Sequence, residues 1–209
     1  MTSPALTFYT HPQSRGRIVR WMLEEVGRPY QTVLLDYDTT MKAADYRAIN
    51  PMGKVPAIRH GEVVVTESAA ICAYLADAFP QAGLAPAPAS PLRGPYYRWL
   101  FFAAGPLEAA ASNRALGFVV PPGRERMMGY GSYAEVLDAL EGVTQAASPY
   151  LLGAQFSAAD VYLGSHLAFG MQFGTIEKRP AFERYVEALA TRPARQRAVQ
   201  IDAALAAAG

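Results

Sequence analysis

The chain reads as two parts: a small mixed α/β unit in the order βαβαββα, then an all-α helical unit. Three observations carry this. Up to about residue 80, short β-branched or aromatic runs alternate with helical patterns, and beyond it nearly every pattern is helical. The stretch from Pro80 to Pro91 holds four prolines and a glycine, and proline lacks a donor and fixes φ, so it reads as a linker. A length of 209 residues with 51% hydrophobic content suits one large domain or two small ones with real cores. The expected divisions are 1–80, a linker at 81–91 and a helical part at 92–209.

Leu6 to Thr10 is the first strand. Arg15 to Val26 is a helix, because Ile18, Val19, Met22, Leu23 and Val26 fall on one stripe of 3.6 periodicity before Gly27 and Pro29 end it. Thr32 to Leu35 is a strand, and Met41 to Ile49 a short helix. Val55 to Arg59 and Glu62 to Val65 flank His60-Gly61, a two-residue hairpin signal. Glu67 to Phe79 closes the unit as a helix with Ala70, Ile71, Tyr74, Leu75 and Phe79 facing inward. A strand-helix-strand crossover followed by a hairpin builds a mixed sheet.

The second part has roughly five helices. One runs from Pro91 to about Arg114 and is rich in aromatics; some of Tyr96, Tyr97, Trp99, Phe101 and Phe102 are expected to face a cleft and form an apolar pocket. Tyr133 to Ala147 follows the Pro121-Pro122-Gly123 loop. The helix at Ser157 opens with a capping box, Ser157 to Asp160, flanked by a hydrophobic staple of Phe156 and Val161. Ala181 to Ala190 and Ala194 to Ala207 complete the chain, parted at Pro193.

Composition removes several functions. The 19 basic and 18 acidic residues leave a net charge of +1, which argues against a nucleic-acid or membrane-surface partner. The single cysteine, Cys72, excludes an internal disulfide, a dithiol redox pair and a cysteine-rich metal site. Cys72 lies inside a helix, where a small buried hydrophobe is expected rather than a nucleophile. His166 has no metal-ligand spacing, and His60 is expected to be solvated in the hairpin turn. No metal is expected. Met1-Thr2-Ser3-Pro4 leads into the first strand without a basic or apolar leader, so a cytoplasmic location is expected.

Three segments sit at strand ends or helix starts, where open α/β sheets bind ligands: Thr10 to Arg17, Asn50 to Pro56, and Thr66 to Ser68. Val55-Pro56 has two readings, an ordinary trans bond at a strand start, or a cis bond that turns out the amide and carbonyl of Val55 to pair with a bound peptide. Glu67-Ser68 is either an anion site at a helix N-terminus or a start capped by Thr66. Ser14 is either a hydrogen-bond donor to an anion or an N-cap.

Taken together, Asn50-Pro51-Met52-Gly53-Lys54-Val55-Pro56, Thr66-Glu67-Ser68-Ala69-Ala70-Ile71 and Phe156-Ser157-Ala158-Ala159-Asp160-Val161, in this order, resemble the cytosolic glutathione transferases of bacterial type over essentially the whole chain. The resemblance implies a thioredoxin-like N-terminal domain, a helical C-terminal domain, a cytoplasmic detoxification role and a homodimer. It implies a cis Pro56, with Val55 pairing to the cysteinyl backbone of glutathione, Glu67 and Ser68 binding its γ-glutamyl end and Lys54 assisting a carboxylate. Ser157 and Asp160 match the family's capping box, which serves folding. For thiol activation Ser14 matches serine-type members best, with Arg17 a nearby positive charge and His11 and Tyr9 as competitors. The implied reaction joins the glutathione thiolate to a small hydrophobic electrophile, glutathione being a cosubstrate and no cofactor being needed. A glutathione-dependent peroxidase or reductase, and a non-catalytic glutathione-binding regulator, are the alternatives on the same fold.

Overall fold

The computed structural model describes residues 5–208. Met1 to Pro4, the expected lead-in, lie outside the described residues. The chain forms two compact units: one runs to Leu84 and takes in the stretch from Arg192 onward, and the other is Ala85–Thr191.

The first unit has four strands, β1 (Leu6–Thr10), β2 (Gln31–Leu34), β3 (Ala57–His60) and β4 (Val63–Thr66), in the order β2-β1-β3-β4. β1 runs parallel to β2 and antiparallel to β3, and β3 runs antiparallel to β4. The helices are α1 (Gly16–Val26), the single turn α2 (Ala44–Arg47) and α3 (Ser68–Ala78). Phe8 and Ile58 face one side of the sheet and are fully buried. On the other side Tyr9 and Ala57 join Leu35, Met41, Tyr46, Ile49 and Val55 in a second apolar cluster.

Two local expectations shift. Gly61 takes the left-handed φ of 59° and, with Glu62, forms the turn, so the hairpin bends one residue later than His60-Gly61. His60 is thereby the last residue of β3. Its Nδ1 lies 3.0 Å from the Tyr74 hydroxyl and its ring 5.2 Å from that of Phe79, a packed position rather than a solvated one. On α3 the buried stripe is Ser68, Ile71, Cys72, Leu75 and Ala76; Ala70 is exposed, and Tyr74 sits at the flank beside His60.

The second unit holds α4 (Arg93–Phe102), α5 (Glu108–Ala115), α6 (Tyr133–Ala146), α7 (Ala158–Phe173) and α8 (Pro180–Ala190). The expected long helix from Pro91 breaks at a π turn, Ala103–Leu107, which contains Pro106. Proline cannot donate to the preceding turn, and the wider turn absorbs the loss. α6 begins with a capping box in which Glu135 accepts from the Ser132 amide at 2.8 Å.

The last helix, α9 (Pro193–Ala208), packs along α1 in the first unit rather than with the helical one. This differs from the division at 92–209, and the cause is polar as well as apolar. Arg20 of α1 is 1% exposed and donates from Nε to Asp202 of α9 at 3.0 Å. Around this pair, Arg192 holds Glu25 at 2.7 Å and Arg197 holds Glu24 at 3.2 Å.

Candidate functional site at one end of the sheet

Strand register brings the three segments together. Tyr9 pairs with Ala57, Ala57 pairs with Thr66, and Thr10 pairs with Leu34. The C-terminal ends of β1, β2 and β4 therefore lie beside the N-terminal end of β3. Ser14 follows β1, Lys54, Val55 and Pro56 precede β3, and Glu67 and Ser68 follow β4, all at this one edge.

The Val55–Pro56 bond is cis. The sheet ladder begins at Ala57, so the N–H and C=O of Val55 stand outside it. The loop before it is held tightly. The Lys54 carbonyl accepts from the Tyr46 hydroxyl and from Asn50 Nδ2, each at 2.7 Å, and the Gly53 carbonyl accepts from Lys42 Nζ at 2.6 Å. Gly53 has a φ of 56°, and a Cβ there would come within 2.9 Å of the Met41 carbonyl oxygen, so only glycine fits. Burial pushes the Tyr46 phenol up to about 12, which keeps it protonated and donating. Lys42 and Tyr46 are contributors that the sequence did not single out, and Asn50 stood out only as the first residue of the Asn50–Pro56 segment. The aromatic residue four before Asn50 in the 41–49 helical pattern was the available signal.

At the start of α3, Glu67 has a φ of 67°, a region that costs a non-glycine residue of order 1–3 kcal/mol. It is the one described residue other than glycine in that region. No side chain caps this helix, so the Thr66-capped alternative does not hold. Ser68 is 8% exposed and opens the helix, while the Glu67 side chain is exposed. A helix start whose amides are left to outside partners favours an anion. Lys54 is also exposed at this edge.

Ser14 precedes α1 and is half-buried. Its hydroxyl donates to the His11 carbonyl at 2.6 Å and accepts from the Gly16 amide at 2.9 Å. It is thus a local turn residue one position before the N-cap, which is Arg15. His11 Nδ1 accepts from the Gln13 amide at 3.1 Å, and its ring lies 4.7 Å from that of Tyr37. The Tyr9 ring is taken up by the apolar cluster, 5.7 Å from Tyr46. Burial raises the Asp202 pKa, and the charges of Arg20 and, more weakly, Arg17 oppose that rise.

Other titratable groups belong to the framework. Cys72 is fully buried, and burial pushes its thiol far up, away from nucleophilic use. Asp160, also fully buried, accepts from the Ser157 amide at 2.9 Å and hydroxyl at 3.0 Å, the Leu151 amide at 2.8 Å and the Tyr185 hydroxyl at 2.9 Å. Burial raises its pKa despite these bonds. His166 faces Glu108 at 3.6 Å. Among the described residues no three His, Cys, Asp or Glu side chains cluster as metal ligands. No helix among them is long and apolar enough to cross a membrane. Of the α4 aromatics, Tyr96 and Trp99 are buried, whereas Tyr97 and Phe101 are exposed.

A family model described as the glutathione S-transferase N-terminal domain matches residues 14–78, which include most of this edge. Over 93% of either chain, the sequence is 30% identical to glutathione S-transferase 3 of Zea mays. A glutathione transferase from Phanerochaete chrysosporium, solved in complex with oxidized glutathione, superposes with a TM-score of 0.78 at 27% identity, covering 97% of this chain and 98% of that one. A sphingomonad glutathione S-transferase complexed with glutathione gives 0.75 at 29% identity, covering 94% and 98%. The likeness runs through the thioredoxin-like sheet and the helical unit alike. At 30% identity to the maize relative over 93% of its length, this chain belongs to the glutathione S-transferase family.

Proposed function

We propose that the protein binds glutathione at this sheet edge and transfers its thiolate to a small hydrophobic electrophile, acting as a cytoplasmic homodimer in detoxification. The observation that carries the proposal is the convergence, at one end of the sheet, of the Val55 main chain standing outside the ladder and an α3 start without a side-chain cap. Val55 offers a peptide-like N–H and C=O to the cysteinyl main chain. Ser68, with the α3 amides behind it, suits the γ-glutamyl carboxylate, and exposed Glu67 suits the ammonium beside it. Lys54 supplies a positive charge for the far carboxylate. The glutathione held by the two structural relatives supports the ligand class.

A free thiol with a pKa of about 8.5 is only a few per cent ionised at neutral pH. Lowering that value by two units takes about 2.7 kcal/mol of preference for the thiolate. Ser14 can supply part of it by turning its proton from the His11 carbonyl to the sulfur. That exchanges a neutral hydrogen bond for a charge-assisted one, a net gain of about 1–1.5 kcal/mol. The α1 dipole adds a fraction more. The thiol proton leaves to solvent, the S–C bond forms, and the electrophile's leaving group departs with the bonding pair.

Ser14→Ala should therefore raise the pKa of bound glutathione by about one unit and slow transfer to an aryl halide near neutral pH about tenfold. Glutathione affinity should change little. Titration of thiolate absorbance in the complex, with His11→Ala and Tyr9→Phe alongside, checks this. A Ser14 variant that titrates like wild type removes Ser14 from the mechanism. A wild-type complex with an unshifted thiol identifies a binding protein rather than a transferase.

Ser68→Ala should weaken glutathione binding about ten- to a hundredfold by calorimetry, the worth of one hydrogen bond to a charged group at about 1.5–3 kcal/mol, while the folded state is retained. Equal affinity in a folded variant would take the γ-glutamyl end elsewhere.

A further inference from the structure

The Lys54 carbonyl and the Val55 amide belong to one peptide unit, which is planar. It is not among the cis bonds, so its C=O and N–H point in opposite directions. Whatever fixes the carbonyl on one side aims the N–H on the other. Two side chains fix it, both from the segment that precedes the loop. The Tyr46 hydroxyl and Asn50 Nδ2 each donate at 2.7 Å, filling both lone pairs of the carbonyl oxygen. Both donors are themselves immobilised. Tyr46 is 4% exposed, with its ring in the cluster of Leu35, Met41 and Ala57. Asn50 is 4% exposed, and its Oδ1 accepts from the Met52 amide at 3.1 Å, which fixes which end of the amide faces Lys54. One residue earlier, Lys42 holds the Gly53 carbonyl.

We infer that Tyr46 and Asn50 are positioning residues for glutathione: by gripping the Lys54 carbonyl from below, they aim the Val55 N–H at the cysteinyl main chain of the peptide. The inference rests on the glutathione site proposed above. Neither residue touches glutathione in this scheme, and neither reaches the sulfur. Their influence falls on binding of the peptide rather than on the reactivity of the thiolate once bound.

The test is steady-state kinetics with glutathione and a generic aryl halide on wild type, Tyr46→Phe, Asn50→Ala and the double variant. Order parameters from ¹⁵N relaxation of the Val55 amide, measured without ligand, run in parallel. Each single variant leaves one donor on the carbonyl and should raise the glutathione KM about two- to threefold, with kcat at saturation and the KM for the electrophile unchanged. The double variant leaves the carbonyl without a protein donor. Its glutathione KM should rise about tenfold or more, beyond the product of the two singles, at unchanged kcat. Its Val55 order parameter should fall from the rigid value of about 0.85 toward about 0.6. Unchanged KM and unchanged order parameter in the double variant overturn the inference, and so does a fall in kcat at constant KM. If wild type takes up no glutathione, the transferase proposal fails by itself. The Val55 order parameters then decide the grip on the peptide unit without it.

Discussion

Replacing Asp202 by alanine should destabilise the first unit by about 3–5 kcal/mol, the cost of leaving a buried guanidinium without its counter-charge. Arg20 is 1% exposed, lies 5.0 Å over the Phe8 ring, and has one terminal nitrogen already without a partner. It also donates to Tyr30 at 3.2 Å and Thr32 at 2.9 Å, and these neutral oxygens cannot replace a carboxylate. The partner experiment sharpens the claim. Arg20→Met combined with Asp202→Leu should recover most of the loss, because an apolar pair of similar volume often matches or exceeds a buried ion pair. Urea unfolding of the two variants against wild type makes the comparison. A single variant as stable as wild type would show that α9 is held by its apolar contacts alone.

Asp160→Ala is expected to cost a similar amount in the second unit. Its carboxylate is the common acceptor for four donors, three of them on Ser157 and Leu151 and one on Tyr185. An alanine strands them in the interior, at about 1–3 kcal/mol for each donor that finds no substitute. Relief of the buried charge returns part of this, consistent with the upward push that burial exerts on Asp160. A net loss of about 3–5 kcal/mol lowers Tm by roughly 10 °C or more in a chain of this size. Tyr185→Phe removes one donor and should cost only about 1 kcal/mol. An alanine variant melting within a degree or two of wild type would mean that the α7 start holds without the box. Glutathione affinity per folded molecule should be unaffected, since Asp160 belongs to the other unit.

Local pattern carried much of the reading from sequence. Helical periodicity located α1, proline and glycine spacing marked the end of the first sheet-bearing stretch, and the Ser157-to-Asp160 spacing announced the α7 cap. What escaped it was long-range or depended on side-chain direction. Arg20 and Asp202 are 182 residues apart, and nothing in either neighbourhood signals that they pair. The π turn at Gly105-Pro106 was hidden within an otherwise continuous aromatic-rich helix. On α3, runs of alanine fit more than one helical face, so the buried stripe emerged only with the neighbours in place. At the candidate site, Val55 and Pro56 stood out because a proline enters a strand there, and Glu67 and Ser68 because they open a helix directly after a strand. Tyr46 did not, because it works through one carbonyl oxygen and carries no motif of its own, and Asn50 was visible only as the first residue of its motif, without a role.

The return of α9 to the first unit also bears on how the protein is made. Arg20 leaves the ribosome long before Asp202, and at about 5–20 residues per second the interval of 182 residues lasts roughly 10–35 s. During that time the α1 surface that α9 will cover, with the charged groups of Arg20, Glu24 and Glu25, lacks the partners that the stretch from Arg192 onward brings. The helical unit, continuous from Ala85 to Thr191, is complete before the sheet-bearing one is sealed. A nascent chain of this protein therefore carries its sheet-bearing unit open while the helical one is completed, and the segment that closes it is synthesised only afterwards.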